Sequence, residues 1–244
     1  MNLTLATDQR GGPEIFASLQ GEGPSAGMPV AFVRLSRCNL ACTWCDTAYT
    51  WRFEGDNRPH RDGIAYDRKA NQVTLSPVET AERIAMLGQK RLVITGGEPL
   101  LQAPALAEML AHLPDITVEI ESNGTVAPPA RLDVLVDQYN VSPKLAHSGN
   151  PADLALLPER LDAWATDPRA FLKFVIAAPA DVDEVLALQA RYRFRPERVF
   201  LMAEGTDSAA LRARQAWLSE LCLRHGFRMS DRLHIHLYGD TRGT

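Results

Sequence analysis

At 244 residues and 26.9 kDa the chain is long enough for one large α/β domain with a full core. Hydrophobic residues make up 45% and charged residues 23%, and the net charge of −4 argues against a broad phosphate-binding surface, so nucleic acid is not an expected partner. No apolar run approaches the roughly 20 residues that span a bilayer, and Met1 to Asp8 turns polar too early for a secretory signal, so neither a membrane nor an export route is expected.

Residues 1–13 end in Gly11-Gly12-Pro13 and read as a loose leader. A short apolar segment, Glu14 to Leu19, then runs into the loop Gln20-Gly21-Glu22-Gly23-Pro24, where glycine permits a tight turn or a close approach to a ligand. Pro29 to Arg34 is rich in β-formers and reads as a buried strand. It feeds Cys38-Asn39-Leu40-Ala41-Cys42-Thr43-Trp44-Cys45, followed at once by Asp46-Thr47.

Residues 51–72 are charged, glycine-bearing and aperiodic, the character of an insertion within a single domain covering 1–244. Ser76-Pro77-Val78-Glu79 has both capping-box spacing and a first-turn proline, predicting a helix to about Leu87, with Gly88 closing it. Strand-like runs follow at Arg91–Thr95, Ile116–Ser122, Tyr139–Ser142, Phe171–Ala177, Val199–Ala203 and Leu233–Tyr238. Helix-like runs lie between most of them, at Pro104–Leu113, Asp181–Arg191 and Ser208–His225. Such alternation implies an α/β fold with a mostly parallel sheet, doubly wound or curled toward a barrel, with ligands beyond the carboxyl ends of the strands. The polar clusters sit at those ends: the cysteines, Gly96-Gly97-Glu98, Ser122-Asn123-Gly124 and Ser142-Pro143-Lys144.

Three thiols within eight residues, and only one cysteine besides, set the chemistry. Structural zinc takes four ligands, usually as two pairs, and no histidine lies closer in sequence than His60. Cys222 falls in a helix-like run and reads as a core thiol. An iron–sulfur cluster held by three thiolates keeps one iron free for a small ligand, and clustered cysteines of this kind suit a reducing cytoplasm. Gly96-Gly97-Glu98 could be a plain strand-end turn, or a backbone lying against a ligand with Glu98 accepting from an ammonium group. Asp46 and Thr47 are hard oxygen donors suited to magnesium, and Arg34, odd in an apolar strand, is either paired structurally or a carboxylate clamp. His234 and His236 alternate on the last predicted strand and would share one face.

Cys-x3-Cys-x2-Cys with Trp44 before the last cysteine, together with Gly96-Gly97-Glu98, resembles the radical S-adenosylmethionine superfamily. Within it, Leu19-Gln20-Gly21-Glu22-Gly23, Phe32 to Leu35, Cys45-Asp46-Thr47, Ile94 to Leu100 and Ser142-Pro143-Lys144 look like the 7-carboxy-7-deazaguanine synthase family. Arg37 departs from that pattern, which usually has glycine before the first cysteine. The resemblance implies an incomplete (β/α) barrel, a homodimer, and a [4Fe–4S] cluster on Cys38, Cys42 and Cys45. It implies S-adenosylmethionine bound by Trp44, Cys45, Asp46, Gly97, Glu98, Ser142, Pro143, Lys144, Met202 and Glu204, with magnesium on Thr47. Leu19, Gln20, Gly21, Arg34 and Thr95 would hold the substrate, and Leu237 to Thr244 would close over it.

The implied reaction is that of a lyase. A 5′-deoxyadenosyl radical takes hydrogen from C6 of 6-carboxy-5,6,7,8-tetrahydropterin, and ring contraction with loss of ammonia gives 7-carboxy-7-deazaguanine on the route to queuosine. Flavodoxin or ferredoxin would supply the electron. A glycyl-radical-enzyme activase would share the cluster and the Gly-Gly-Glu run. The Gln20-Gly21-Glu22-Gly23 loop and Thr47 favour a small carboxylate-bearing substrate instead. A plain electron-transfer or zinc module would not need polar clusters on four successive strand ends.

Overall fold

The computed structural model describes all 244 residues, Met1–Thr244. Ten strands form one sheet: β1 (Leu3–Ala6), β2 (Ile15–Leu19), β3 (Pro29–Leu35), β4 (Gln72–Leu75), β5 (Arg91–Gly96), β6 (Thr117–Ser122), β7 (Gln138–Val141), β8 (Ala170–Ile176), β9 (Val199–Ala203) and β10 (Arg228–Ser230). Their order is β10-β9-β8-β7-β6-β5-β3-β1-β4, with β2 also pairing with β3. From β3 to β10 every neighbour is parallel, whereas β1, β2 and β4 join antiparallel. The α/β expectation holds, and the sheet is open: β10 and β4 are its edges.

Period-two alternation gives the two faces different work. Leu92, Ile94, Val118, Ile120, Tyr139, Val141, Leu172 and Phe174 belong to a core of 42 buried residues that also includes Leu106 and Met109 of helix Ala103–Leu110, Val185 of Asp181–Tyr192 and Leu218 of Ser208–His225. The intervening positions, Arg34, Thr95, Glu119, Glu121, Asn140 and Lys173, point the other way and make the concave face polar. Arg34 pairs in register with Thr95, and Glu121 with Asn140, so a polar row crosses the sheet near the strand ends.

The helix predicted from Ser76 runs Pro77–Ala85, with both capping-box hydrogen bonds formed and Gly88 at φ 69°. Cys222 is buried in the core, as its apolar neighbours indicate.

Two expectations fail. Residues 1–13 are not a loose leader: β1 is a fully buried strand between β3 and β4, because Leu3 and Leu5 supply core side chains where Leu35 and Leu75 need cover. The run Leu233–Tyr238 is a helix, and the terminal strand is instead Arg228–Ser230, parallel to β9. Alternating apolar residues over six positions do not separate a strand from a short helix. His234 and His236 consequently diverge. His234 packs on Gly21, whereas His236 bonds Ser208 and Asp231.

Candidate active site

A cavity of about 220 Å³ opens beyond the carboxyl ends of the parallel strands. It draws together Leu19, Gln20 and Gly21 from the loop after β2, Arg34 from β3, and Thr95 and Gly97 from the end of β5. Cys38, Cys42, Trp44, Cys45, Asp46 and Thr47 come from the cysteine loop, Ser142 and Lys144 from the turn after β7, and Met202 from β9. Three anticipated residues stand outside this lining. Pro143 lies between Ser142 and Lys144, just past β7, and is buried. Glu204 forms ion pairs with Arg61 and, at 2.9 Å, with Arg214. Glu98 is fully buried, and its carboxylate accepts from Ser122 Oγ at 3.0 Å, Leu100 N at 3.0 Å and Asn123 N at 2.7 Å. Burial pushes its carboxyl above the usual range, against the opposing pull of those donors.

The cysteine loop is fixed by backbone contacts with the Gly-Gly-Glu turn. Glu98 N donates to Arg37 O at 2.9 Å and Gly97 N to Leu35 O at 3.1 Å. A Cβ on Gly97 would stand 2.1 Å from Arg37 O, so only glycine fits there. Arg37 takes a left-handed φ of 78°. The turn that glycine would form is thus made with an arginine, and no thiol is displaced from the cavity.

The donor set suits an iron–sulfur cluster. Cys38, Cys42 and Cys45 are all free thiols bordering one cavity. Burial raises the thiols of Cys38 to about 12 and Cys45 to about 11, so in the bare protein they carry protons that metal must displace. His60, distant in sequence, comes to the same loop, but it bonds the Cys45 carbonyl at 2.8 Å rather than a sulfur. Residues 51–66 wrap this side of the loop: Trp51 is buried, and Arg61 N donates to Thr43 O at 2.8 Å.

A second group of side chains beside the cysteines is left open. Trp44 Nε1 is the one buried side-chain nitrogen or oxygen in the protein without a hydrogen-bond partner. Its ring stacks on His147 at 5.5 Å, and Lys144 Nζ lies 5.6 Å from its centre while donating to Ser142 Oγ at 2.8 Å. An orphaned donor, a hydroxyl and an ammonium around an aromatic plane fit a ligand with a ribose and a carboxylate.

On the opposite wall Arg34 uses Nε on the Glu14 carboxylate at 2.8 Å, and Tyr49 OH donates to the same carboxylate at 2.9 Å. Arg34 is therefore paired structurally, and it also borders the cavity. Glu121, which sequence inspection passed over, faces the cavity and accepts from Thr95 Oγ1 at 2.8 Å and Gln20 Nε2 at 3.2 Å. Its signal was present as the polar phase of Thr117–Ser122. Arg232 was also missed. It is 7% exposed and pairs with Glu22 at 3.1 Å and with Asp46. Nothing near position 232 in the sequence marks it. Asp240, Thr241, Arg242 and Thr244 reach the rim, and Arg242 lies 3.5 Å over the Tyr49 ring.

Comparison with known proteins agrees with this geometry. The radical SAM superfamily profile matches residues 33–145. The 7-carboxy-7-deazaguanine synthase of Pyrobaculum aerophilum is 37% identical over 94% of this chain and 95% of its own. That of Halobacterium salinarum is 35% identical over 95% and 91%. The crystal structure of QueE from Escherichia coli has a TM-score of 0.67 at 25% identity, covering 96% of this chain and 95% of that one. SuiB of Streptococcus suis, at 10% identity and a TM-score of 0.54 over 83% of this chain, shares the fold alone. With its three free thiols, glycine turn and polar strand-end row in place, the chain belongs to the 7-carboxy-7-deazaguanine synthase family of the radical SAM superfamily.

Proposed function

We infer that this protein converts 6-carboxy-5,6,7,8-tetrahydropterin to 7-carboxy-7-deazaguanine with loss of ammonia, a lyase step in deazapurine and queuosine biosynthesis. The observation that carries this reading is the meeting, in one cavity, of the three thiols with Arg34, Thr95 and Glu121, in a chain matched along most of its length by synthases of that name. When bound, a [4Fe–4S] cluster and adenosylmethionine would supply the radical chemistry needed to remove hydrogen from C6 of the pterin.

The chain's own residues bind and aim. Cys38, Cys42 and Cys45 hold the cluster. Recognition of adenosylmethionine falls to Trp44, Asp46, Gly97, Ser142 and Lys144, with Met202 as apolar cover and Glu98, Pro143 and Glu204 holding the turns behind them. Arg34 keeps its terminal guanidinium nitrogens for the substrate carboxylate, since Glu14 engages Nε. Glu121 is an acceptor-only group suited to the N–H edge of an aminopyrimidinone, and the Gln20 amide and the backbone of Leu19 and Gly21 flank it. Thr47 offers its hydroxyl to Mg2+ beside the substrate carboxylate. The segment 240–244, pinned by Arg242 on Tyr49, keeps water from the reacting face. Flavodoxin or ferredoxin is the electron donor in this reading, the working unit is a homodimer, and the setting is cytoplasmic.

The test is anaerobic turnover. Reconstituted protein with adenosylmethionine, reductant, Mg2+ and the carboxytetrahydropterin should give 7-carboxy-7-deazaguanine, identified by mass and ultraviolet absorption. Alanine at any of the three cysteines should abolish it. Release of 5′-deoxyadenosine without that product would retain the radical chemistry and reject the substrate, favouring an activase.

A further inference from the structure

Each of the three cysteine sulfurs has a side-chain N–H beside it, and each donor comes from a different part of the chain. Trp51 Nε1 lies 3.3 Å from Cys45 Sγ, Asn150 Nδ2 lies 3.3 Å from Cys42 Sγ, and Asn123 Nδ2 lies 3.8 Å from Cys38 Sγ. Trp51 follows the cysteine loop, Asn123 follows β6, and Asn150 follows the turn Ala146–Ser148. Asn123 lies in the Ser122-Asn123-Gly124 cluster, whereas Trp51 and Asn150 belong to none of the sequence motifs that mark the site.

The donors are held in place by their own partners. Trp51 is 4% exposed, and its indole has no hydrogen-bond acceptor other than the Cys45 sulfur. Its ring meets His60 edge-on at 6.2 Å, and His60 in turn bonds the Cys45 carbonyl, so indole and cysteine are fixed to one frame. Asn150 accepts from Ala41 N at 2.8 Å through Oδ1, which orients Nδ2 toward Cys42. Asn123 accepts from Thr125 N and Oγ1 and donates to Asn39 Oδ1 at 2.9 Å, leaving the longest of the three contacts for Cys38. The only other side-chain hydrogen-bonding contact to these sulfurs is that of Thr47, whose Oγ1 is 3.6 Å from Cys45 Sγ.

We propose that Trp51 and Asn150, with a smaller contribution from Asn123, are positioning residues that set the reduction potential of the cluster by hydrogen bonding to its thiolates. The inference rests on the assignment of Cys38, Cys42 and Cys45 as the cluster ligands. Adding one electron to the cluster raises the negative charge on its sulfurs. A fixed N–H dipole aimed at sulfur therefore stabilises the reduced form more than the oxidised form, and hydrogen bonds to sulfur are among the determinants of cluster potential. Neither residue needs to touch substrate or adenosylmethionine. Their effect falls on how readily a reductant can deliver the electron.

Trp51→Phe removes the N–H while keeping an aromatic ring against His60. Asn150→Ala removes the donor at the second sulfur from a different segment, so the two variants report independently. Each reconstituted protein is titrated with dithionite under argon and the reduced cluster is followed by electron paramagnetic resonance, with iron and sulfide per chain measured on the same samples. At unchanged iron content, each variant should show a more negative midpoint, the one-electron reduction constant falling roughly three- to tenfold per donor removed. The upper figure corresponds to about 59 mV for a one-electron couple. The double variant should shift by about the sum of the two. Midpoints equal to the parent's at full iron content would overturn the proposal and leave the cluster assignment standing. A parent protein that takes up no iron and sulfide would instead overturn the assignment itself.

Discussion

Arg232 donates to the carboxylate of Asp46, joining residues 186 positions apart in the chain. The same guanidinium bonds Glu22 at 3.1 Å and the Gly205 carbonyl, so one buried side chain ties the cysteine loop to the loop after β2. Both loops border the cavity. Lys173 completes the cluster by pairing with Glu22, giving two buried cations and two carboxylates, of which Asp46 reaches water.

Removing Arg232 leaves Asp46, whose side chain is 35% exposed, without its cation and Glu22 with Lys173 alone. Arg232→Ala should cost about 1–3 kcal/mol of stability, less than breaking a fully buried ion pair from one side, because water reaches Asp46. Urea unfolding of the two proteins measures it. A loss under 1 kcal/mol would mean that water replaces the guanidinium at no penalty.

Glu22 also gives an acid-sensitive contribution. Burial alone would raise its carboxyl, but Lys173, Arg232 and His234 outweigh burial and hold it well below the usual carboxylate range. A depressed folded-state value means the stabilisation is complete above the unfolded value of roughly 4.3 and is lost as the pH falls below it. Glu22→Gln should therefore be less stable by a constant amount between pH 6 and 8, with the gap closing as the medium is acidified below about pH 4. Unfolding free energies measured across that span decide it. A gap that widens in acid would contradict the charge assignment.

At the glycine turn the steric requirement is sharp. Gly97→Ala would place a methyl group 2.1 Å from Arg37 O and 3.0 Å from Cys38 Cβ. Relief requires the cysteine loop to move by about an ångström, and misplacement of that size costs on the order of 100-fold in turnover. Product formation per reconstituted cluster is the measurement. Turnover within a few-fold of the parent would show that the loop yields freely.

Arg37 offers the opposite case. Its backbone holds φ 78° and its side chain is exposed. A left-handed non-glycine residue carries about 1–2 kcal/mol of strain, and glycine's extra unfolded-state freedom returns about 0.5–1 of that. Arg37→Gly should then be neutral to about 1 kcal/mol more stable, read from the midpoint of thermal or urea unfolding. A loss would mean that the arginine side chain makes a stabilising interaction.

Thr47 tests the metal. On the proposal that Thr47 holds Mg2+, Thr47→Ala should weaken the magnesium dependence of turnover by about tenfold, the worth of one charge-assisted contact. Full magnesium activation in the variant would assign the ion elsewhere.

Local spacing alone determined the part of this protein that lies on contiguous residues. The three cysteines, Gly96-Gly97-Glu98, Ser142-Pro143-Lys144 and the capped helix at Ser76 were legible because each motif is complete within a few residues, and because strand–helix alternation says at which sheet end they collect. Tertiary structure decided what depends on convergence of distant segments. Leu3 and Leu5 became part of a buried strand between β3 and the edge strand β4, and an alternating C-terminal run became a helix. Arg232, Glu121 and the three N–H donors at the sulfurs gained their roles through burial beside partners up to 210 residues away in the chain. A polar side chain reveals its role only through its partner, and no local pattern names a partner brought near by the fold.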